Sequence, residues 1–281
     1  MDREKRIDVF QDTVKIVENG SYRLGEGEII ISNPAPSQFF DEKIEVEFDK
    51  LPSYNEIITV EPLDCLVMAE RQLDNGHKVA VLNMASLHTP GGGVLKGSGA
   101  QEENIFRRTN LFKSLYPYKA SIAKEFGLNP SFKQYPLNEN FGGIYNPEIT
   151  VFKGEESDDY PLLKEPFKVD VITVAACKNP EITSAGEFSD EVREKTKNKI
   201  ETILNIALIN GNDALVLSAF GCGAFGTPPH LMARAFKDIL ESEKYKNRFK
   251  FVGFAIINDA NAHREHNPRG NYTPFKEVFN C

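Results

Sequence analysis

Hydrophobic positions along the chain follow two periods. Near the start, Ile7, Phe10, Val14 and Val17 recur at three- and four-residue spacing and stop at Asn19-Gly20, a pair of the kind on which helices end. This spacing predicts an amphipathic helix over 3–18. The stretch 43–48 (KIEVEF) alternates with period two and predicts an edge or half-buried strand, whereas 78–82 (KVAVL) is continuously apolar, as a strand covered on both faces is. Runs of the buried kind recur at 169–176 (VDVITVAA), 214–220 (ALVLSAF) and 249–257 (FKFVGFAII). Between them, 190–210 places Val192, Ile200, Ile203, Leu204 and Ala207 on one helical face, and 228–241 does the same with Met232, Ala235, Phe236 and Ile239. Strands that alternate with helices imply a largely parallel sheet covered on both sides. The shorter series Ile105, Thr109, Phe112, Leu115 marks a further helix that begins close to Gln101.

Composition narrows this without changing it. With 41% hydrophobic and 26% charged residues in 281, the chain is neither disordered nor fibrous. Acidic residues number 41 against 33 basic ones, a formal charge of −8, whereas broad polyanion binding relies on an excess of Lys and Arg. General nucleic-acid binding is therefore not expected. Cys65, Cys177, Cys222 and Cys281 form no CxxC pair, so neither a zinc site nor a disulfide framework is expected, and a cytoplasmic setting fits best. No apolar run of signal-peptide length follows the first residues, and none approaches the ~20 apolar residues of a membrane span. Repeats and low-complexity tracts are absent, and the polar 153–164 (KGEESDDYPLLK) reads as a surface loop. The economical organisation is one domain over 1–281, with 1–50 as an N-terminal extension.

Two glycine-rich segments each follow a buried strand. The first, NMASLHTPGGGVLKGSGA, runs from Asn83 through Gly91, Gly92, Gly93 and Val94 and delivers the chain into Gln101-Glu102-Glu103. The second is Gly221-Cys222-Gly223-Ala224-Phe225-Gly226, followed by Thr227-Pro228. Glycine serves where the backbone takes positive φ or must approach a ligand closely, and successive N–H groups in such turns form anion-binding nests. Either loop alone fits a plain structural turn equally well. Two of them at the carboxyl ends of sheet strands suggest a pyrophosphate-sized anion. A P-loop is not present, because Lys96 precedes Gly97-Ser98 instead of following the glycine. GCGAFG matches the dinucleotide fingerprint, but only one further strand follows it, too few for that fold. Thr227 as N-cap and Pro228 at the first helical position would start the next helix, leaving the loop amides from Cys222 to Gly226 to hold an anion.

Glu102 and Glu103 are the candidate catalytic carboxylates. Acids in a first helical turn also complement the helix dipole, so their position after a glycine loop is what matters. Neighbouring carboxylates and a nearby diphosphate both disfavour ionisation, which lets one carboxyl act as a general acid near neutrality. Cleavage of a glycosidic bond needs such an acid. His263 and His266 read as surface-loop residues, His88 lies in the first loop within reach of a ligand, and Cys222 reads as a small loop residue rather than a nucleophile.

GGG, seven residues, then QEE resembles the signature of the microbial-type poly(ADP-ribose) glycohydrolases, a macrodomain family. VLNMASLHTPGGG, EENIFRRTNLFKSL, YNPEITVFK, VDVITVAA and ALVLSAFGCGAFGTPP follow that family's order over roughly 3–257, and the first helix ending NGSY resembles its N-terminal extension. The resemblance implies an α/β fold, a three-layer α/β/α macrodomain with a mixed, largely parallel central sheet and an N-terminal helical extension. It implies that Glu103 is the catalytic acid and that the GGG loop with Gln101 and Glu102 holds the riboses at the scissile bond. Asn83 would touch the distal ribose, the second loop would cradle the diphosphate, and Phe225 would pack on the ribose. Ser218-Ala219-Phe220 departs from the Gly-Ala-Trp-like triplet expected next to that loop. Neither a metal nor a cofactor is implied. The partners implied are poly(ADP-ribose) or ADP-ribosylated macromolecules, with ADP-ribose as product and no membrane. Removal of single ADP-ribose units, and a non-catalytic ADP-ribose reader, stay open beside polymer hydrolysis; the intact QEE speaks against the reader.

Overall fold

A computed structural model of the protein describes residues 1–280; Cys281, the last of the four cysteines, lies outside the described residues. In chain order the elements are α1 (Arg3–Asn19), β1 (Ser21–Leu24), β2 (Gly27–Ile30), β3 (Gln38–Phe40), β4 (Ile57–Glu61), α2 (Cys65–Asp74), β5 (Val79–Met84), α3 (Gln101–Arg108), α4 (Leu111–Leu115), α5 (Ala120–Glu125), β6 (Gly143–Lys153), β7 (Leu162–Val174), α6 (Asp190–Ile209), β8 (Ala214–Leu217), α7 (Pro229–Leu240), β9 (Phe251–Ala255) and α8 (Tyr272–Phe279). Strands β1 and β2 form an antiparallel hairpin, and the other seven follow the order β3-β6-β7-β5-β8-β9-β4. The pairs β5·β8, β8·β9 and β9·β4 are parallel. The class is mixed α/β with a mostly parallel central sheet, as the alternating periods predict. Among the described residues no helix is long and apolar enough to cross a membrane. By its internal packing the chain divides into two compact units, 1–39 with 85–137 and 144–171, and 40–84 with 138–143 and 172–281.

In unit 1, α1 starts where the Asp2 side chain accepts the Lys5 N–H and ends at Gly20, which takes the left-handed conformation expected of it (φ 73°). Its buried face is Phe10, Thr13, Ile16 and Val17: Phe10 and Val17 are buried as predicted, Ile7 and Val14 are half-buried, and Thr13 joins the face by hydrogen-bonding the Arg107 carbonyl of α3. Phe10 meets Phe106 and Phe112 at ring distances of 6.3 and 6.2 Å, and its burial stabilises the fold by roughly 1.5–3 kcal/mol. The helix expected across 101–115 is two helices. Thr109 turns extended (φ −139°) to bridge Val151 of β6, and its hydroxyl donates to Ile105 O and accepts the Leu111 N–H, so the break is hydrogen-bonded on both sides.

The expected surface loop 153–164 does join β6 to β7, with 157–159 exposed, but its two ends are not all surface. Lys153 ends β6 buried, with Nζ 2.7 Å from Asp12 Oδ2 and bonded to Val9 O, and Tyr160 is buried as well. Within it, Glu156 and Asp159 pair with Arg6 and Lys5 of α1.

In unit 2, β5, β8 and β9 are almost wholly buried, which accounts for their continuous apolar runs. Ser189 caps α6 by accepting the Val192 N–H, and α7 begins at Pro229 with Pro228 as its N-cap, one residue later than expected. KIEVEF forms no strand. Its alternation is real, since Ile44, Val46 and Phe48 are half-buried between exposed Lys43, Glu45 and Glu47. However, Asn205 Nδ2 binds the Ile44 carbonyl at 3.2 Å and Phe48 packs edge-on against Tyr245 at 5.3 Å, so side chains hold this stretch instead of a ladder. The edge strand beside β9 is β4, in parallel register with it from Ile57↔Phe251 to Glu61↔Ala255.

Candidate active site

The first glycine loop, in unit 1, is organised around two carboxylates. Gly91 and Gly92 have φ of 77° and 54°, conformations that only glycine adopts at low cost. The turn they make aims the Gly91 N–H at Glu102 Oε1 (2.9 Å) and the Gly93 N–H at Glu103 Oε1 (2.8 Å). Glu102 Oε2 accepts a further backbone N–H, that of Ser86, at 2.7 Å. The Gly92 and Val94 N–H groups bond to Thr89 O and Gly91 O within the loop. Every N–H from Gly91 to Val94 is thus engaged inside the protein, so this loop grips carboxylates and is not the anion nest its composition suggested. Val94 is buried, and Gln101 is the half-buried first residue of α3.

The two carboxylates differ. Both are buried, but both oxygens of Glu102 accept backbone N–H groups, whereas Glu103 Oε2 is buried with no hydrogen-bond partner. A buried oxygen left open on an otherwise fixed carboxylate is available for proton transfer.

One turn along α3 from Glu103, the fully buried Arg107 ties the loop to the helix. Its Nη1 donates to Ser98 O at 2.8 Å and its Nε to Tyr160 Oη at 2.7 Å. Burial first, and then Glu156, push the Tyr160 phenol up to about 12 against the opposing Arg107 charge. It stays protonated and donates to Glu156 Oε2 at 2.8 Å. Glu156 Oε1 accepts Arg6 Nε and Nη2 at 3.0 and 2.7 Å, which brings α1 into the network. Gly97 and Gly99 belong to this packing, not to ligand approach. A β-carbon on Gly97 would collide with Arg3 O, and one on Gly99 would stand 2.5 Å from the Arg6 guanidinium.

In unit 2, Asn83 lies near the end of β5, buried, its Nδ2 donating to Thr173 Oγ1 at 3.2 Å and its Oδ1 without a partner. The second glycine loop follows β8. Gly221 and Gly226 take φ of 76° and 79°, and a β-carbon on Gly221 would meet Ala176 Cβ and Thr227 Oγ1 at 2.9 Å. The Cys222 and Gly226 N–H groups bond to Ala219 O and Gly223 O inside the loop. Those of Gly223, Ala224 and Phe225 have no protein acceptor among the described residues. The stretch of N–H groups without a protein acceptor is thus narrower by one residue at each end than the expected 222–226. Thr227, expected as the N-cap, is instead buried with Oγ1 unpartnered. Phe225 is half-buried, and its carbonyl accepts the Asn179 N–H at 2.7 Å. Burial drives the Cys222 thiol far above its ordinary range, and Sγ points to Phe220 O at 3.6 Å, which is the behaviour of an inert loop residue. Ser218 of the unusual triplet donates to Ala255 O. His88 and His263 are exposed, but His266 is not a free surface residue, since its Nε2 lies 2.9 Å from Cys222 O.

Sequence reasoning missed Ser86, Arg107, Tyr160 and Asn267. Only Arg107 carried a usable signal, its four-residue spacing from Glu103 on one helical face.

Each unit thus carries one candidate element: a glycine loop holding the buried carboxyls of Glu102 and Glu103 in unit 1, and a glycine loop with three N–H groups that have no protein acceptor in unit 2. The family model described as "Microbial-type PARG, catalytic domain" matches residues 10–154. The chain belongs to the microbial-type poly(ADP-ribose) glycohydrolase (PARG) family and is an enzyme of the glycohydrolase class. It is similar over 98% of its length to poly(ADP-ribose) glycohydrolase from Thermomonospora curvata bound to the inhibitor ADP-HPD, at 26% identity and TM-score 0.77, with 99% of that chain covered. A second structure of the Thermomonospora curvata enzyme gives 26% identity and TM-score 0.77, covering 99% of this chain and 100% of that one. The enzyme from Deinococcus radiodurans in complex with ADP-ribose matches at 25% identity and TM-score 0.65, covering 86% of this chain and 94% of that one. No curated protein matches the chain.

Proposed function

We propose that the protein hydrolyses ribose–ribose O-glycosidic bonds at the terminus of poly(ADP-ribose) and releases ADP-ribose, with Glu103 as the general acid and base. The observation that carries this reading is the asymmetry of Glu103, whose Oε1 is pinned by the Gly93 N–H while Oε2 is buried and unpartnered. In the first step Oε2–H protonates the leaving ribose oxygen as the bond to the anomeric carbon breaks and an oxocarbenium ion develops. In the second, the carboxylate takes a proton from water as the water oxygen bonds to that carbon. Most glycosidases divide these tasks between two carboxylates. Here Glu102, bound by the Gly91 and Ser86 N–H groups, acts by shaping the loop and, with Gln101, by holding ribose hydroxyls.

The free N–H groups of Gly223, Ala224 and Phe225 take the diphosphate. Asn83 offers its open Oδ1 to a ribose hydroxyl, and the Phe225 ring packs on the same sugar. Neutral amides suit one terminal diphosphate on a protein whose formal charge is −8, a balance that does not favour gripping an anionic chain along its length. The free thiols of Cys177 and Cys222 support a cytoplasmic setting.

Incubation with labelled poly(ADP-ribose), and separately with mono-ADP-ribosylated protein and nucleic acid, tests the substrate. Release of ADP-ribose from the polymer alone is expected. Release only from the mono-modified substrates would replace this reading with the second one, and release from none would leave a reader.

A further inference from the structure

The segment between β9 and α8 (DANAHREHNPRGN, 259–271) has no regular structure, yet it is fixed against the second glycine loop within unit 2. Asn267 is buried; its Nδ2 donates to Cys222 O at 3.2 Å, Asn261 O at 3.0 Å and Asn271 Oδ1 at 2.7 Å, while its Oδ1 accepts the Arg264 N–H at 2.8 Å. His266 Nε2 faces the same Cys222 carbonyl at 2.9 Å, and because a carbonyl only accepts, Nε2 carries the proton.

Two side-chain donors on one carbonyl fix the plane of the Cys222–Gly223 peptide. In a trans peptide the C=O and N–H point in opposite directions. Holding the carbonyl toward His266 and Asn267 therefore turns the Gly223 N–H away from these two side chains. Were this peptide to flip, carbonyl lone pairs would face the anion in place of a donor, and attraction would become repulsion. Asn261 packs beside the turn, its Cβ 3.4 Å from where a β-carbon on Gly223 would lie.

We propose that His266 and Asn267 are positioning residues for anion binding, setting the polarity of the Cys222–Gly223 peptide so that the nest presents three donors. The inference rests on the reading of this loop as the diphosphate site. Calorimetric titration of the full chain with ADP-ribose tests it, together with the Gly223 amide signal in a 1H–15N spectrum. His266→Leu is expected to weaken ADP-ribose binding by up to about tenfold, the loss of one hydrogen bond, and Asn267→Leu by more. His266→Gln, which keeps a donor, should restore affinity to within about threefold. The Gly223 amide should shift on ADP-ribose addition in the wild type and respond weakly in the two Leu variants. Wild-type affinity in both Leu variants, or weaker binding with an unchanged Gly223 response, would overturn the inference while leaving the diphosphate site intact. Should Asn267→Leu not fold, His266→Leu decides alone. A wild-type protein that does not bind ADP-ribose would remove the site and this inference with it.

Discussion

Gly92 leaves the space that Glu103 occupies: a β-carbon at position 92 would stand 2.5 Å from Glu103 Oε1 and 3.0 Å from Glu102 Oε2. Its φ of 54° adds strain for any other residue. Gly92→Ala must therefore displace the carboxylates. It should lower kcat by about 100-fold or more, as misplacement of a reacting group by about 1 Å does. Gly127→Ala is the control. Gly127 has φ of 63° but nothing within 4 Å of its β-carbon, so it should cost about 1 kcal/mol of stability and leave kcat unchanged.

Arg107 is buried between Ser98 O and Tyr160 Oη, and removing its guanidinium strands both partners. Arg107→Met should destabilise the protein by about 3 kcal/mol in urea unfolding, and Tyr160→Phe by about 1 kcal/mol. Because the two side chains share one network, the double variant should lose less than the sum. Additive losses would mean that the network does not act as a unit.

Glu56 supplies a pH signature. Burial, only partly offset by the Phe249 and Asn247 backbone, pushes its carboxyl up to about 7. A carboxyl with a raised folded pKa binds more protons folded than unfolded, so its contribution to stability is full below the unfolded value of about 4.3 and lost as pH rises toward 7. Glu56→Gln should flatten the decline in unfolding free energy between about pH 5 and 7. An unaltered slope would show that Glu56 titrates elsewhere.

Cys222 lies inside the anion loop but is buried and holds its proton. Thiol alkylation of the native protein should spare it, and Cys222→Ala should retain most of the hydrolytic rate. Loss of all activity with the fold intact would revive it as a nucleophile.

How far these features could be read from sequence depended on whether local or distant contacts create them. α1, α6 and α7 emerged within a residue or two because their apolar periods and caps are local, and β5 and β9 because buried strands are continuously apolar. The helix break at Thr109 was hidden because Val151, on a strand 42 positions later, produces it. Strand β4 was overlooked in favour of KIEVEF, whose better alternation comes from packing against Tyr245 and Asn205. Within the site, the glycine loop and its carboxylates lie within about a dozen residues and could be found by spacing. The difference in hydrogen bonding between Glu102 and Glu103 depends on which N–H groups reach each oxygen. The role of Gly97 and Gly99 depends on α1, nearly a hundred residues earlier, and composition carries no trace of it.

The most direct test of the account is the rate of ADP-ribose release from labelled poly(ADP-ribose) by Glu103→Gln, measured beside the affinity of the same variant for ADP-ribose. Gln keeps an acceptor for the Gly93 N–H but cannot donate and retrieve the proton at Oε2. The account predicts a loss of at least about 100-fold in kcat, the scale of one acid–base group, with ADP-ribose still bound within a few-fold of wild type. Full activity in Glu103→Gln would contradict it.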